Sequence, residues 1–406
     1  MKFSFDRLTA FASVLLCAGC VINQSAPRPT IPLVESIISN PQSREYKLLS
    51  AYDGSSTKGD IVILDEPERC FCLSERFLKC DDRDNMDAAP VNDFLPDFSG
   101  ERIISILDFK YSPYGRYIKA SNDGALREIA VKSVISAVDT ICLLGPYDHD
   151  FKSVKPTAKL IVVSSPHLAA FGSFDVDTLL HETGAHVPVI NAPEAMISRV
   201  LDRHGAGACF AFIAPESAIK CGAYEKAFSE LALERSDRIS RLVSLLPSEL
   251  KRRSDSTDVA PSEDVLRRWL DAFAESGVKM PLSALVVDDF SVSIDSLKAS
   301  LEALRVVSSD ENDFYRKLLS RDFEIVDGAR VITDTCYTFL RKRNLFTHNI
   351  AYPVAGAYIT SPEEKSYALM DFNISDLPDE MIGEMERLAP KTSRLYVQDQ
   401  YYGRGN

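Results

Sequence analysis

Several groups of side chains in this 406-residue chain have types and spacings that could do chemistry. Ser165, His167 and Asp65 are the components of a hydrolase triad, although residues two apart rarely present a nucleophile to its base in the required geometry. His181-Glu182-Thr183-Gly184-Ala185-His186 approximates the zinc-peptidase pattern with one residue too many. At about 100° per residue, ligands five apart diverge by roughly 140° on a helix. A helix bulge would restore convergence, whereas Gly184 and the Val-Pro run at Val187 point instead to a helix end with solvated histidines. Cys70-Phe71-Cys72 with Cys80 fits no zinc-ribbon spacing, so no metal site is assigned. Asp289 could act as a base only if burial raised its pKa.

The elements that must hold these residues alternate. Continuous apolar runs such as 160–163 and 284–287 suit strands buried on both faces, and 125–138, 194–203 and 223–234 carry apolar residues at helical spacing. That alternation predicts an α/β fold. Strand ends at Asp65, Ser165, Asp289 and the loop Pro113-Tyr114-Gly115 would then gather at the carboxyl edge of the sheets, where such folds bind ligands. The composition is 45% hydrophobic and 26% charged, enough for two cores, and the net charge of −13 disfavours a nucleic-acid partner. Trp269 falls in an amphipathic stretch as a packing residue, and Arg252–Asp258 reads as a solvated loop.

The order of several short segments carries more. Asp60-Ile61-Val62-Ile63-Leu64-Asp65 comes first, then Ile103–Asp108 with Ser112-Pro113-Tyr114-Gly115. Leu160–Val163 leads into Ser164-Ser165-Pro166-His167, followed by Val187-Pro188-Val189-Ile190-Asn191, Ala211–Pro215 and Cys221-Gly222-Ala223-Tyr224. Leu285-Val286-Val287-Asp288-Asp289, Phe323–Gly328 and Tyr358–Glu364 complete the series. Collinearly, these resemble the aspartate/glutamate racemase superfamily, glutamate racemase in particular. The resemblance implies two similar doubly wound domains whose parallel sheets face each other across a cleft. It divides the chain into residues 59–186 plus 323–375 as the first domain, 187–322 as the second, and 376–406 as a C-terminal extension. It implies no cofactor, since the family moves an α-proton with two thiols.

Both thiol positions hold something else: Ser165 at the first and Asp289 at the second. A serine hydroxyl is too weak an acid to serve unaided. The family's Cys-Asn-Thr corresponds to Ser165-Pro166-His167, its Cys-Thr-His to Asp289-Phe290-Ser291, and its early Asp-Ser to Asp65-Glu66. An amide donor is thus replaced by Pro166, an apolar ring stands at Phe290, and Glu66 adds a carboxylate that opposes an acidic ligand. By the resemblance, Ser165, Asp289, Asp65 and His167 occupy catalytic positions. Glu66, Pro113, Tyr114, Gly115, Pro166, Phe290 and Ser291 occupy ligand-binding ones. Conventional glutamate racemisation is not expected. A non-catalytic or ligand-binding derivative is the first expectation, with an amino-acid or cell-envelope small molecule as ligand. The alternative is a cofactor-independent racemase or isomerase using altered acid/base residues.

Residues 1–20 read as a signal peptide. Lys2 and Arg7 precede an apolar run from Leu8 to Ala18, too short to span a bilayer, which ends in Leu16-Cys17-Ala18-Gly19-Cys20. That ending resembles a bacterial lipoprotein box and implies lipidation of Cys20, hence an exported, membrane-held protein. The Val after Cys20 mildly favours the outer membrane; an uncleaved anchor or ordinary signal peptide is the other reading. Residues 21–58 read as a flexible tether. In an oxidising compartment, Cys70, Cys72 and Cys80 would be the first candidates to pair among the remaining thiols, with Cys142, Cys209, Cys221 and Cys336 further off.

Overall fold

The computed structural model describes residues 28–143, 152–245, 262–307, 309–361 and the backbone of 394–398. The signal peptide with Cys17 and Cys20, residues 21–27 of the tether, the Arg252–Asp258 loop, the Pro362–Glu364 turn and most of the C-terminal extension lie outside the described residues. Among those described, no helix is long and apolar enough to cross a membrane.

Two short helices, α1 (Pro32–Ile38) and α2 (Arg44–Ser50), precede β1 (Asp60–Asp65) and α3 (Pro67–Lys79). Then come β2 (Arg102–Leu107), α4 (Gly115–Lys119), α5 (Asp123–Val138), β3 (Ile141–Leu143), β4 (Lys152–Val154) and β5 (Ala158–Val163). The chain continues through α6 (Pro166–Thr183), β6 (Val189–Asn191), α7 (Ala192–His204), β7 (Cys209–Ile213), α8 (Glu216–Lys220) and α9 (Ala223–Glu234). It closes with β8 (Arg241–Val243), α10 (Ser262–Glu275), β9 (Leu282–Val287), α11 (Ile294–Val306), α12 (Asp310–Leu318), β10 (Leu319–Asp327), α13 (Gly328–Arg343), β11 (Val354–Ser361) and β12 (Arg394–Gln398).

The fold is α/β with two sheets. The first runs β4-β3-β12-β11-β2-β1-β5-β6 and the second β10-β9-β7-β8. The second is parallel throughout, and the central strands of the first are parallel; β12 against β11 and β4 against β3 are antiparallel. The domain boundaries need correction. β6 lies before the chain leaves the first sheet, so the second domain begins after it and not at residue 187. β10 pairs with β9 in the second sheet and does not open the return to the first. The C-terminal extension supplies β12 to the first sheet. Strands as short as β6 carry too little periodicity to declare a sheet; the neighbour they meet decides it.

Alternation along the strands assigns the layers. Val62, Leu64, Ile161 and Val163 pack toward α5 and α6, while Ile61, Ile63, Leu160 and Val162 face the other way. That second face shares one apolar core with Met196, Ile197 and Val200 of α7 and with Phe210, Phe212, Ala284 and Val286 of the second sheet. The far face of the second sheet packs Cys209, Ala211, Leu285 and Val287 against Trp269, Leu270 and Leu297. Trp269 is buried and stacked on Phe273, a packing residue as expected. The helix α6 starts on Ser165, whose Oγ accepts from the Leu168 amide, and stops at Gly184 in the left-handed region. Its close approach to α5 requires Gly172, where a Cβ would lie 2.2 Å from that of Ala130.

Residues 28–58 are not a tether. Val34, Ile37 and Leu49 enter the core beside α5 and α6. The fully buried Asp175 accepts from the Ile31 amide at 2.9 Å and from Arg127 Nε at 2.6 Å, while Arg127 Nη2 also donates to Pro29 O at 2.7 Å. Pro and Ser in this stretch mask apolar residues spaced for two helices of seven residues each, too short to signal without the surface they cover. The thiol expectation is likewise corrected: all seven described cysteines are free. Cys70 and Cys72, two apart on α3, face the core and solvent respectively, so they diverge.

Removing one member of a buried ion pair strands the other. Asp175→Ala is expected to lower unfolding free energy by about 3 kcal/mol in urea titration and to open residues 28–52 to limited proteolysis.

Candidate functional site

The site follows from strand parity. Residues alternate faces, so Ile61, Ile63 and then Asp65 point toward the second sheet, as do Leu160, Val162 and then Ser164. From the other side, Ala284, Val286 and then Asp288 point back toward the first. Asp65 and Asp288 therefore converge where the carboxyl ends of the two sheets meet.

Arg69 stands between them. It lies four residues after Asp65 on α3, and its Nε donates to Asp65 Oδ2 at 2.9 Å. Its Nη2 donates to Asp288 Oδ1 at 2.8 Å and Ser164 O at 3.2 Å, and its Nη1 to Asp288 O at 2.6 Å. The Phe290 ring caps the guanidinium at 4.3 Å. Asp65 also accepts from Ser164 Oγ at 2.6 Å and from the Glu66 amide at 2.8 Å. Asp288 accepts from the Tyr224 hydroxyl, and that ring stacks on Phe212. Arg69 is 12% exposed and both carboxylates are fully buried.

The sequence-assigned residues divide. Asp65, Glu66, Tyr114, His167 and Phe290 lie in or beside this network. Ser165 is buried, with its hydroxyl committed to the α6 cap, and Pro166 opens that helix. Asp289 Oδ1 accepts from the Ser291 amide and hydroxyl at 3.1 and 2.6 Å in a half-exposed turn one residue past Asp288. Ser291 and Pro113 are exposed. Gly115 allows α4 to meet α8, since a Cβ there would lie 2.7 Å from that of Ser217. His181 and His186 are exposed near the Gly184 helix stop. Arg69, Ser164 and Asp288 were missed. The i, i+4 spacing from Asp65 to Arg69 and the strand parity were the signals available.

Electrostatics follow from burial. Desolvation would discharge Arg69, but Asp288 and Asp65 together hold it well above the usual range. Burial pushes Asp288 up despite the neighbouring guanidinium, and pushes Asp108 up although Thr360 and Tyr114 donate to it. Glu66 accepts from the Tyr114 amide, yet burial and then the Asp65 charge raise it to about 7. His167 is 3% exposed beside the Ser217 backbone and edge-on to the Tyr114 ring; burial lowers it to about 4, so it is neutral. The nearby thiols are poor nucleophiles: burial drives Cys70 well up and Cys221 to about 12. One cation thus bridges both buried carboxylates.

Searches by sequence against protein families and curated proteins find no match. Solved structures do show likeness. A glutamate racemase isoform from Bacillus anthracis is 16% identical with TM-score 0.45, covering 78% of this chain and 95% of its own. The Francisella tularensis glutamate racemase, solved with D-glutamate, is 16% identical with TM-score 0.46, covering 84% and 98%. An aspartate racemase homologue from Pyrococcus horikoshii is 13% identical with TM-score 0.37, covering 70% and 99%.

Arg69→Met is expected to cost about 3–5 kcal/mol at pH 8 by leaving two buried carboxylates unpaired. The deficit should shrink toward pH 5, because the stranded groups take up protons in the folded state; urea unfolding at both pH values checks this. A second expectation concerns Glu66. Its folded pKa lies above the unfolded one, so its contribution is fully present below about pH 4.5 and lost as pH rises through about 7. Glu66→Gln should flatten that decline, by about 2 kcal/mol, in a stability profile from pH 5 to 8.

Proposed function

We propose that this protein is an exported, lipid-anchored, racemase-like protein that no longer moves protons on an amino acid. The observation that carries the reading is Arg69, whose guanidinium fills the point where the two sheets converge and engages both Asp65 and Asp288. An amino-acid substrate would have to displace a buried cation from two buried anions, and deprotonation would then need a strong base on each face. Ser165 is a helix cap, Asp289 is engaged by Ser291 in its own turn, and the adjacent thiols are held protonated by burial. Sequence alone supports the anchor: the apolar run from Leu8 to Ala18 and the cysteine at position 20. The outer membrane is the favoured location, because Val21 is not a retention signal.

One observation favours the alternative reading, an altered isomerase. Burial and the Asp65 charge raise Glu66 to about 7, where an acid/base group works, and neutral His167 lies beside the network against the Tyr114 ring.

The discriminating experiment incubates the full chain in detergent with L- and D-glutamate and aspartate in deuterated water, following α-proton loss by NMR. No exchange above a heat-denatured control is expected. Exchange that disappears in both Glu66→Gln and His167→Ala would instead establish the isomerase. For the anchor, Cys20→Ser expressed in a bacterial host is expected to abolish the acyl-modified N-terminal peptide seen by mass spectrometry of the membrane fraction.

A further inference from the structure

The end of the first sheet opposite the buried arginine carries a feature the cleft does not explain. Residues 80–101 join α3 to the start of β2, and residues 344–353 join α13 to the start of β11. These loops meet at Gly100, whose amide donates to Ala351 O at 2.6 Å. From them Met86, Val91, Phe94, Leu95, Ile350 and Tyr352 project into solvent, Phe94 at 88% exposure.

The loop is cross-linked by hydrogen bonds, and its backbone is strained at two residues. Phe94 has φ +66° and Ala88 φ +64°, a region a bulky residue seldom adopts. Asp93 accepts from the Asn85 and Leu95 amides, Asp81 from the Asp93 amide, and Asp97 from the amides of Asp82 and Arg83. Arg341 Nη2 donates to Met86 O at 2.6 Å, and Arg83 pairs with Asp334. Backbone strain at Phe94, whose ring is left in solvent, argues that exposure itself is the product.

Charge selects the occupant. Asp82 is neutralised by Arg76 and Arg330, but among the described residues Asp81, Asp84, Asp87 and Asp93 have no ion-pair partner. An anionic lipid surface would be repelled, and a second copy would bring the same aspartates together. We propose that this surface docks a basic segment of another protein, one whose apolar side chains seat against Phe94 and Ile350 and whose Lys or Arg side chains meet Asp84 and Asp87. Such an interface gains its area from the apolar tips and its selectivity from the surrounding carboxylates.

The test uses the full chain in detergent and two fluorescent 15-residue amphipathic peptides, one of Lys, Leu and Phe, the other with Glu replacing Lys. The basic peptide should bind and the acidic one should not, with affinity falling as salt is raised. The double variant Phe94→Gly/Ile350→Ser should weaken binding at least tenfold, as should Asp84→Asn/Asp87→Asn. Asn keeps the turn acceptors, and glycine relieves the backbone at position 94, so neither variant should melt below the parent chain. Equal binding of the basic peptide to Phe94→Gly/Ile350→Ser would overturn the proposal, since attraction would then come from the overall net charge. So would selective loss, in that variant, of binding to phosphatidylcholine/phosphatidylglycerol vesicles, or of a dimer seen by sedimentation: the patch would then serve a membrane or a second copy.

Discussion

A guanidinium buried between two carboxylates sets the geometry of this protein. Arg69 leaves α3 one turn after Asp65, crosses to the second sheet and fixes Asp288 by side chain and backbone. In a low-dielectric interior an unmatched charge is far more costly than a matched one. Every group near Arg69 is therefore placed to serve it: Ser164 through its carbonyl and through Asp65, Phe290 through its ring face, Tyr224 through the hydroxyl that completes Asp288. Those contacts occupy the point where the carboxyl ends of the two sheets meet.

The apolar packing acts in the same direction. The core that lines Ile61 and Ile63 continues through α7 to Phe210, Phe212, Ala284 and Val286, so the two sheets share a face instead of each closing on its own. An enzyme that admits and releases substrate between domains needs an interface weak enough to open. Here opening would expose that shared face and break the arginine bridge together. The two contributions hold the sheets together through different physics: one through dispersion and hydration, the other through charge.

The amino ends of the strands carry acidic loops with apolar tips, while the α5–α6 face is covered by α1 and α2 through Arg127 and Asp175. A surface strap and an exposed patch on the same sheet have opposite origins. The strap buries Val34, Ile37 and Leu49, whereas the patch leaves Phe94 and Ile350 in water despite backbone strain.

The sequence by itself determined the elements whose signals are local. Continuous apolar runs identified β1, β5 and β9, helical periodicity identified α5, α7 and α9, and Gly184 marked the end of α6. These depend on groups within a turn or a pleat of each other, so composition and spacing suffice. Asp65 was legible as the end of a strand, and Glu66 only through the resemblance to the racemase superfamily. The choice between Asp288 and Asp289 was not, because consecutive acids differ only in which face they take, and that face acquires meaning only against a second sheet. Nor were the sheet memberships of β6, β10 and β12, the docking of residues 28–52, or the position of Arg69 between the domains. Each is settled by a surface far away along the chain, and only the folded arrangement brings those surfaces together.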